Sequence, residues 1–227
     1  MHPSALKNGE RFFRTYLPSG EGKTIMEVGS QDVNGSLRQV APEGARYIGL
    51  DFQEGKGVDI LLDVEDPYHF PLADNSVDAV VTSSVLEHSE FFWLLFNELM
   101  RVVKPGGVVY VNAPSFGAFH RYPVDCYRFY PDFGPAMAKW ARRSGYGAAV
   151  LLESYICIQR EDEHSAWHDN VSVYLKDGQY LPHYPARILD GKEDYINGFR
   201  MGHDGILNQS KWMAPEEKLR RFENKPV

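Results

Sequence analysis

The chain lacks the features that mark secreted and membrane-spanning proteins. Its 227 residues include two cysteines, Cys126 and Cys157, which are far apart and give neither a disulfide framework nor metal-type cysteine spacing. No apolar run approaches the roughly 20 residues of a membrane span. The opening residues, MHPSALKNGERFF, contain no apolar stretch of the signal-peptide type. These absences predict a cytoplasmic protein without a membrane partner.

An excess of basic residues is also absent. The chain has 24 Lys and Arg against 31 Asp and Glu, a formal net charge of −7. Because proteins bind nucleic acids mainly by neutralising phosphates with basic side chains, this charge predicts no nucleic-acid partner. With 43% hydrophobic and 24% charged residues, the composition is that of an ordinary globular chain long enough for one substantial domain.

Short apolar runs of strand length recur along the chain. They are TIMEVG (24–29), YIGLD (47–51), VDILL (58–62), VDAVVTSS (77–84), VVYVNA (108–113), AAVLLESYICI (148–158) and VSVYLK (171–176). The early runs are near-continuous rather than alternating, which is typical of a parallel sheet covered on both faces. Helical patterns occupy residues 91–103, closed by the turn signal KPGG, and residues 131–145. This order of elements predicts a doubly wound α/β fold.

The pattern divides the chain into three parts. Residues 1–22 predict a helical lead that ends in a Pro/Gly/Ser cluster, and residues 23–176 carry the apolar runs of the main domain. Residues 177–227 are polar and rich in Tyr, Pro, Gly and His, with one later helix signal, APEEKLRRFEN (214–224). Because this last part has too little apolar sequence for a core, we predict an extension packed on the domain.

Polar residues stand where the first four predicted strands end. Ligands of doubly wound sheets bind at the carboxyl ends of the strands. Glu27 and Gly29 end the first run, Asp51 ends the second, Asp66 follows the third and Ser83 lies near the end of the fourth. An acid after the second strand is placed to accept hydrogen bonds from ribose hydroxyls, so a nucleoside ligand is the simplest interpretation. The alternative is that Asp51 caps a following helix.

The segments TIMEVGS, YIGLD, DPYHFPLADNSVDAVVTSSVLEH and ELMRVVKPGG follow one another in this order. Together they resemble the successive motifs of class I S-adenosylmethionine-dependent methyltransferases, in the type 11 branch related to ubiquinone and bacterial glycan-cluster enzymes. The resemblance covers about residues 22–114. It implies a Rossmann-like, mostly parallel seven-stranded sheet with helices on both faces, a methyltransferase domain over residues 23–176, S-adenosyl-L-methionine as cofactor and S-adenosyl-L-homocysteine as product.

The resemblance also implies cofactor-binding roles for individual residues. These are Glu27, Gly29, Ser30, Asp51, Phe52, Asp66, Tyr68 and Ser83. Glu27 corresponds to the acid near the methionine amino group and Asp51 to the ribose-binding acid. Asp66 corresponds to the acid that accepts from the adenine amino group, although Asp63 is close enough to compete. Position 67 is a proline without an N–H, so we expect Tyr68 to complete adenine recognition.

The first loop, EVGSQDVNG (27–35), departs from the family pattern. Gln31 and Val33 stand where the family loop has glycines, so their side chains must point away from the cofactor or contact it. Asn34 and Gly35 still permit a tight turn. A sulfonium cofactor does not require the glycine-lined cradle of a pyrophosphate, so we expect cofactor binding to be retained and NAD to be excluded. The alternative is a non-catalytic, cofactor-free binding or regulatory relative.

The segment SFGAFHRYPVDCYRFYPD (115–132) follows the fifth run, where the methyl acceptor should enter. Methyl transfer to a hydroxyl requires removal of a proton, and the candidate catalytic residues are His120, Asp125 and, after the fourth run, His88. Predicted substrate-binding residues are Arg121, Tyr122, Tyr127 and Arg128. One alternative is an ordered structural loop whose Arg and Asp side chains pair. Another is that His88 packs near the cofactor at a helix start.

The sequence thus predicts O-methyl transfer to a small-molecule or saccharide hydroxyl. A protein methyltransferase is a further alternative, which would need an acidic groove for a basic peptide. In EDEHSAWHD (161–169), His164 and His168 are four residues apart and would face one metal if the segment were helical. The segment joins two predicted strands, so we interpret it as a solvated loop or lid and predict no metal site.

Overall fold

The computed structural model describes residues 2–161 and 166–210, a range with three α-helices and eight strands. The helices are α1 (Pro3–Tyr16), α2 (Phe92–Val102) and α3 (Phe133–Arg143). The strands are β1 (Thr24–Val28), β2 (Arg46–Asp51), β3 (Ile60–Leu61), β4 (Val77–Ser83), β5 (Val103–Phe116), β6 (Val150–Glu161), β7 (Ala166–Leu175) and β8 (Ile196–Arg200). The helix predicted at 214–224 lies outside the described residues. Of the described helices, none is long and apolar enough to cross a bilayer.

The strands form one sheet in the order β3-β2-β1-β4-β5-β7-β6-β8. The first five of these pair in parallel, while β7 is antiparallel to both β5 and β6. The predicted Rossmann-like, mostly parallel fold is therefore confirmed, but the predicted count of seven strands is wrong. The eighth strand, β8, pairs antiparallel with β6 at the sheet edge. Its sequence, INGFR, is too short and polar to give a strand signal, and backbone pairing with β6 determines its conformation.

Both faces of the sheet are buried, as the continuous apolar runs predict. Successive side chains of β4 point to opposite faces: Val80 joins the core beneath α2 and α3, whereas Ala79 and Val81 join the core beneath α1. On the α1 face, the ring of Phe12 lies 4.8 Å from that of Tyr110. Full burial of a phenylalanine side chain contributes about 1.5–3 kcal/mol, so this contact helps to hold α1 on the sheet.

The predicted turn KPGG is instead part of β5. The partner of Val77 on β5 is Val103, but the partner of Ala79 is Val108, so residues 104–107 form a bulge in the strand. A Cβ on Gly107 would lie 2.5 Å from the carbonyl oxygen of Asp78. The glycine therefore allows β5 to approach β4 closely, which the turn signal in the sequence does not distinguish from a chain reversal.

Helix α1 and the C-terminal extension both attach to one buried carboxylate on β6. Glu153 accepts a hydrogen bond from the hydroxyl of Tyr16 at the end of α1. It also accepts from the backbone N–H groups of Ile188 at 2.8 Å and Leu189 at 2.9 Å. Burial raises the pKa of the Glu153 carboxyl. The extension is thus joined to the sheet by polar contacts in addition to its apolar ones.

Candidate functional site

A cavity of about 430 Å³ lies at the carboxyl ends of β1, β2 and β4. Of the predicted cofactor residues, those that line it are Gly29, Asp51, Phe52, Tyr68 and Ser83. The others, Glu27, Ser30 and Asp66, are not part of its wall. The structure therefore brings together residues from three strand ends that are separated in sequence, at the edge where a doubly wound sheet binds its ligands.

Gly29 ends β1 in a conformation that favours glycine. Its φ is +76°, in the left-handed region, and its N–H donates to the carbonyl of Leu50 at 2.9 Å. A Cβ at this position would lie 2.1 Å from Cγ2 of Val85, which also lines the cavity. Any side chain here would displace Val85 and enter the cavity, so glycine keeps this end of the cavity open.

Asp51 is a buried carboxylate in the cavity wall. Oδ2 accepts a hydrogen bond from the backbone N–H of Gln31 at 3.0 Å, and Oδ1 accepts from the N–H of Gln53 at 3.1 Å. Each carboxylate oxygen can accept a further hydrogen bond. Residues 52–59 form no helix, so Asp51 is not the helix cap that the sequence left open as an alternative. Its remaining lone pairs are available to a ligand hydroxyl.

Glu27 lies beneath the loop that follows β1. Its carboxylate accepts hydrogen bonds from Ser36 Oγ at 2.9 Å, the N–H of Leu37 at 3.3 Å and the hydroxyl of Tyr47 at 2.9 Å. Burial raises the pKa of this carboxyl, and its three donors oppose that shift. Through these hydrogen bonds, Glu27 fixes the position of the loop that follows β1.

Gln31, at a position where the family that the sequence resembles has a glycine, contacts two other loops. Its Nε2 donates to the carbonyl of Glu54 at 3.0 Å, and its Oε1 accepts from the hydroxyl of Tyr122 at 2.9 Å. Val33, the second replaced glycine, lines the cavity with a side chain that is 63% exposed. The altered loop therefore leaves the cavity in place and closes one side of it with a glutamine. No local pattern indicates the Gln31 to Tyr122 contact.

The side of the cavity expected to hold adenine is mainly apolar, lined by Leu62, Val64 and Pro67 together with Tyr68. The hydroxyl of Tyr68 accepts from the N–H of Phe91 at 3.2 Å. Asp63 and Asp66 are both exposed and outside the wall. Asp63 accepts from the N–H of Glu65 at 2.9 Å, within its own turn. Apolar side chains rather than these acids therefore form this part of the surface.

His88 lies in the cavity wall, at the end of a 3-10 helix over Leu86–His88. Its Nδ1 is 2.5 Å from the carbonyl oxygen of Val124, a contact that requires the proton on Nδ1 and leaves the lone pair on Nε2. Burial lowers the pKa of the imidazole. The ring is therefore neutral near pH 7, with its lone pair on Nε2, which lies 3.7 Å from Oε1 of the buried Glu87.

Asp125 and Arg128 organise the loop at residues 115–132. The Asp125 carboxylate pairs with the guanidinium of Arg128 at 2.5 and 2.8 Å and accepts from the N–H of His120 at 2.6 Å. The guanidinium holds the pKa of this carboxyl well below its usual range, so Asp125 is a weak base. Its side chain is buried and outside the cavity wall. The pair of Arg128 and Asp125 therefore corresponds to the alternative of an ordered structural loop whose Arg and Asp side chains pair.

The remaining residues of this loop divide between the cavity and its surroundings. Tyr122 lines the cavity with its neighbours Pro123 and Val124. Arg121 donates to the carbonyl of Pro123 at 3.1 Å, and Tyr127 donates to that of Glu90 at 2.9 Å. Neither Arg121, Tyr127 nor Arg128 is part of the wall. The polar aromatic residues of this loop mark it in the sequence as part of the site. No sequence pattern indicates that Pro123 and Val124 line the cavity.

Three side chains near the cavity could hold a divalent metal ion. Glu87, His88 and His120 offer ligand atoms that lie within 4.8 Å of one another. Glu87 is buried, and its Oε2 has no hydrogen-bond partner among the residues that the structure describes. Burial raises the pKa of its carboxyl to about 8. The rings of His88 and His120 are 5.0 Å apart. No local sequence pattern indicates this cluster, because His120 comes from a different loop than Glu87 and His88.

Of the two histidines in the segment 161–169, the structure describes one. His164 lies outside the described residues. His168 is on β7, where its ring is 5.8 Å from that of Phe116. A strand places residues four apart about 13 Å from each other, so the helical spacing argument does not apply to His168.

Comparisons with known proteins agree with this arrangement. Residues 28–111 match the family model described as a methyltransferase domain. An uncharacterized methyltransferase of Mycobacteroides abscessus is 30% identical over 150 residues, which span 57% of this chain and 57% of that protein. The chain thus spans little more than half the length of this relative.

Solved structures share the fold. A Burkholderia thailandensis 1,6-didemethyltoxoflavin-N1-methyltransferase, with its substrate and S-adenosylhomocysteine bound, has a TM-score of 0.57 at 12% identity and covers 77% of this chain and 79% of its own. The [4+2]-cyclase SpnF has a TM-score of 0.55 at 14% identity and covers 76% and 81%. The match over residues 28–111 and the shared fold thus agree with the resemblance to class I S-adenosylmethionine-dependent methyltransferases.

Proposed function

We propose that this protein transfers a methyl group from S-adenosylmethionine to a hydroxyl group of a small-molecule or saccharide acceptor. One observation carries the proposal. The cavity at the strand ends combines a ribose-type acid, Asp51, with a neutral imidazole, His88, whose proton-accepting nitrogen is not used by the protein backbone. The first residue suits the cofactor, and the second suits removal of a proton from the acceptor.

The cavity residues fit the parts of S-adenosylmethionine. The free lone pairs of Asp51 suit the two ribose hydroxyls, and the apolar side chains of Leu62, Val64 and Pro67 suit the faces of an adenine ring. Gly29 and Ser83 line the part of the wall formed by β1 and β4, where a methionine moiety would lie. A volume of about 430 Å³ is within the range of cofactor sites.

When bound, S-adenosylmethionine supplies a methyl group on a cationic sulfur, ready for in-line displacement. The protein's own residues align the acceptor and remove its proton. The carbonyl of Val124 holds the Nδ1 proton of His88, which fixes the tautomer with Nε2 as the base. After transfer, the proton of the acceptor hydroxyl resides on Nε2. Asp125 and Arg128 position the loop that carries Val124.

The acceptor class is supported by the loop and by one neighbour of the same fold. Tyr122, Ser89 and Glu90 add polar groups to the wall near His88. The Burkholderia thailandensis enzyme binds 1,6-didemethyltoxoflavin together with S-adenosylhomocysteine. A small molecule or saccharide is therefore the acceptor class that we propose. No protein or nucleic-acid acceptor is part of this proposal.

The fold also occurs in a [4+2]-cyclase, so methyl transfer needs its own test. We would titrate the purified protein with S-adenosylmethionine and S-adenosylhomocysteine by calorimetry, alongside Asp51→Ala. The matched control is Asp63→Ala, which removes an exposed acid outside the cavity. We expect micromolar binding that is lost in Asp51→Ala and retained in Asp63→Ala.

Absence of binding to the wild type would overturn the enzyme proposal and favour the cofactor-free, regulatory alternative. If binding is present, radiolabelled methyl transfer to panels of sugars, nucleotide sugars and phenols tests the acceptor. Transfer to histone-type basic peptides instead would favour the protein methyltransferase alternative. Loss of transfer in His88→Asn, with cofactor affinity kept, would support the proposed base.

A further inference from the structure

A second cavity, also of about 430 Å³, lies between α1 and the C-terminal extension. Five of its eight lining residues are basic: Lys7, Arg11, Arg14, Arg187 and Lys192. It shares no lining residue with the cavity at the strand ends. Because the whole chain has a formal net charge of −7, this concentration of positive charge is a local departure from the surface average.

The basic side chains of this cavity outnumber the carboxylates that pair with them. Asp194 lies 3.5 Å from Arg11 and 2.6 Å from Lys192, so one carboxylate serves two cations. Glu10 lies 3.1 Å from Arg14 on the same helix. Within residues 2–161 and 166–210, Lys7 has no ion pair. The cavity therefore retains uncompensated positive charge that an anionic ligand would neutralise.

Arg187 contributes a buried charge to the wall of this cavity. Its side chain is buried, and Nη1 donates to the backbone carbonyls of Tyr184 at 2.5 Å and Ala186 at 2.7 Å. Its Nε is also buried and has no hydrogen-bond partner among the described residues. A buried N–H without an acceptor is unfavourable, and more so on a charged group. This atom is closed off from solvent, so Arg187 acts on the cavity through its charge rather than through Nε.

The arrangement of donors matches a phosphate group. Lys7, Arg11 and Arg14 are spaced four and three residues apart and share one face of α1. The extension presents Arg187 and Lys192 from the opposite side. Planar guanidinium groups donate in pairs to phosphate oxygens, and the hydroxyl of Thr15 adds a neutral donor to the same wall.

We propose that this cavity binds a phosphate or diphosphate group. The bound anion joins α1 to the extension, because both elements contribute cations to the wall around it. The site is separate from methyl transfer and does not depend on the proposed function. It adds a phosphate-bearing ligand to those of this protein.

The test uses the full chain. Calorimetric titration with inorganic phosphate and with pyrophosphate, at matched ionic strength, measures binding to the wild type and to the double variant Arg11→Gln/Arg14→Gln. Both side chains are on the helix face and neither fills the core, so the variant should fold. The control is Lys139→Gln, which removes an exposed cation from α3. We expect pyrophosphate to bind the double variant at least about tenfold more weakly than the wild type and the control.

A second arm distinguishes the source of the phosphate. Cosedimentation with vesicles of phosphatidylglycerol, compared with phosphatidylcholine, shows whether a lipid headgroup reaches the cavity. Vesicle binding that the double variant loses would support the phosphate site and identify a lipid as its source. Equal pyrophosphate affinity in the wild type and the double variant would overturn the proposal. So would the absence of binding to phosphate, pyrophosphate and anionic vesicles.

Discussion

The substitution Tyr122→Phe tests whether the loop at residues 115–132 holds the bound cofactor in the cavity. The hydroxyl of Tyr122 donates to Oε1 of Gln31 at 2.9 Å, with Oε1 of Gln53 at 3.4 Å as a second acceptor. This contact connects the loop to the segment that follows β1, and Tyr122 and Gln31 both line the cavity. Removing the hydroxyl therefore frees the loop while leaving the aromatic ring in place.

The size of the effect follows from the hydrogen bond. A neutral hydrogen bond contributes about 0.5–1.5 kcal/mol net, and the 50% exposure of Tyr122 favours the lower half of that range. A loss of about 0.5–1 kcal/mol corresponds to an increase of roughly two- to fivefold in the dissociation rate of S-adenosylhomocysteine. We expect a similar change in its Kd, because a local loop contact acts mainly on release.

Stopped-flow displacement of S-adenosylhomocysteine, followed by intrinsic fluorescence, measures this rate. Tyr130→Phe is the matched control, since Tyr130 is an exposed tyrosine outside the cavity wall. Gln31→Gly should accelerate release at least as much as Tyr122→Phe does, because it also removes the hydrogen bond to the Glu54 carbonyl. An unchanged release rate in both variants would refute the view that this hydrogen bond holds the loop over the cofactor.

Three further predictions concern the base, the fold and the loop. His88→Asn should lower methyl transfer by about 10²- to 10⁴-fold, with cofactor Kd within twofold in calorimetry. Glu153→Gln should lower stability by about 1–3 kcal/mol, measured by urea unfolding, because one acceptor for Tyr16 or the Ile188 segment is lost. The pKa of Asp125 is depressed by Arg128, so its contribution to stability is present above about pH 5 and declines below about pH 4. The Tm difference between the wild type and Asp125→Asn should shrink in that acidic range.

Each of these predictions has an outcome that contradicts it. Full turnover in His88→Asn would exclude the imidazole as base. Glu153→Leu serves as the companion to Glu153→Gln, and equal unfolding midpoints for all three proteins would show that the carboxylate contributes nothing. A Tm difference for Asp125→Asn that stays constant from pH 8 to pH 3 would show that the Arg128 pair does not contribute to stability.

The sequence predicted most of the fold because the relevant signals are local. A strand buried on both faces must be apolar along its length, and runs such as VDAVVTSS and VVYVNA meet that requirement. The order of strands and helices then restricts the topology. The short polar strand β8 lacks such a signal, since its hydrogen bonds to β6 rather than its side chains determine its conformation.

The residues of the candidate site also differ in how far the sequence indicates them. Gly29 and Asp51 were identifiable because the end of a strand in a doubly wound sheet is also the edge of the binding crevice. Asp66 also follows a strand, yet the turn over residues 63–66 leaves it exposed and outside the cavity wall. Residue type and position thus indicate the crevice, whereas the path of each loop decides which side chains enter it.

The sequence by itself determined the α/β architecture and the edge of the sheet that carries the cavity, because consecutive residues decide which segments form buried strands and where those strands end. Only the tertiary structure decided that Gln31 meets Tyr122 across 91 positions and that His88 bonds the Val124 carbonyl across 36. It also decided that the basic residues of α1 face Arg187 and Lys192. Such contacts join segments whose separation depends on the whole folded chain, so no local pattern of residues encodes them.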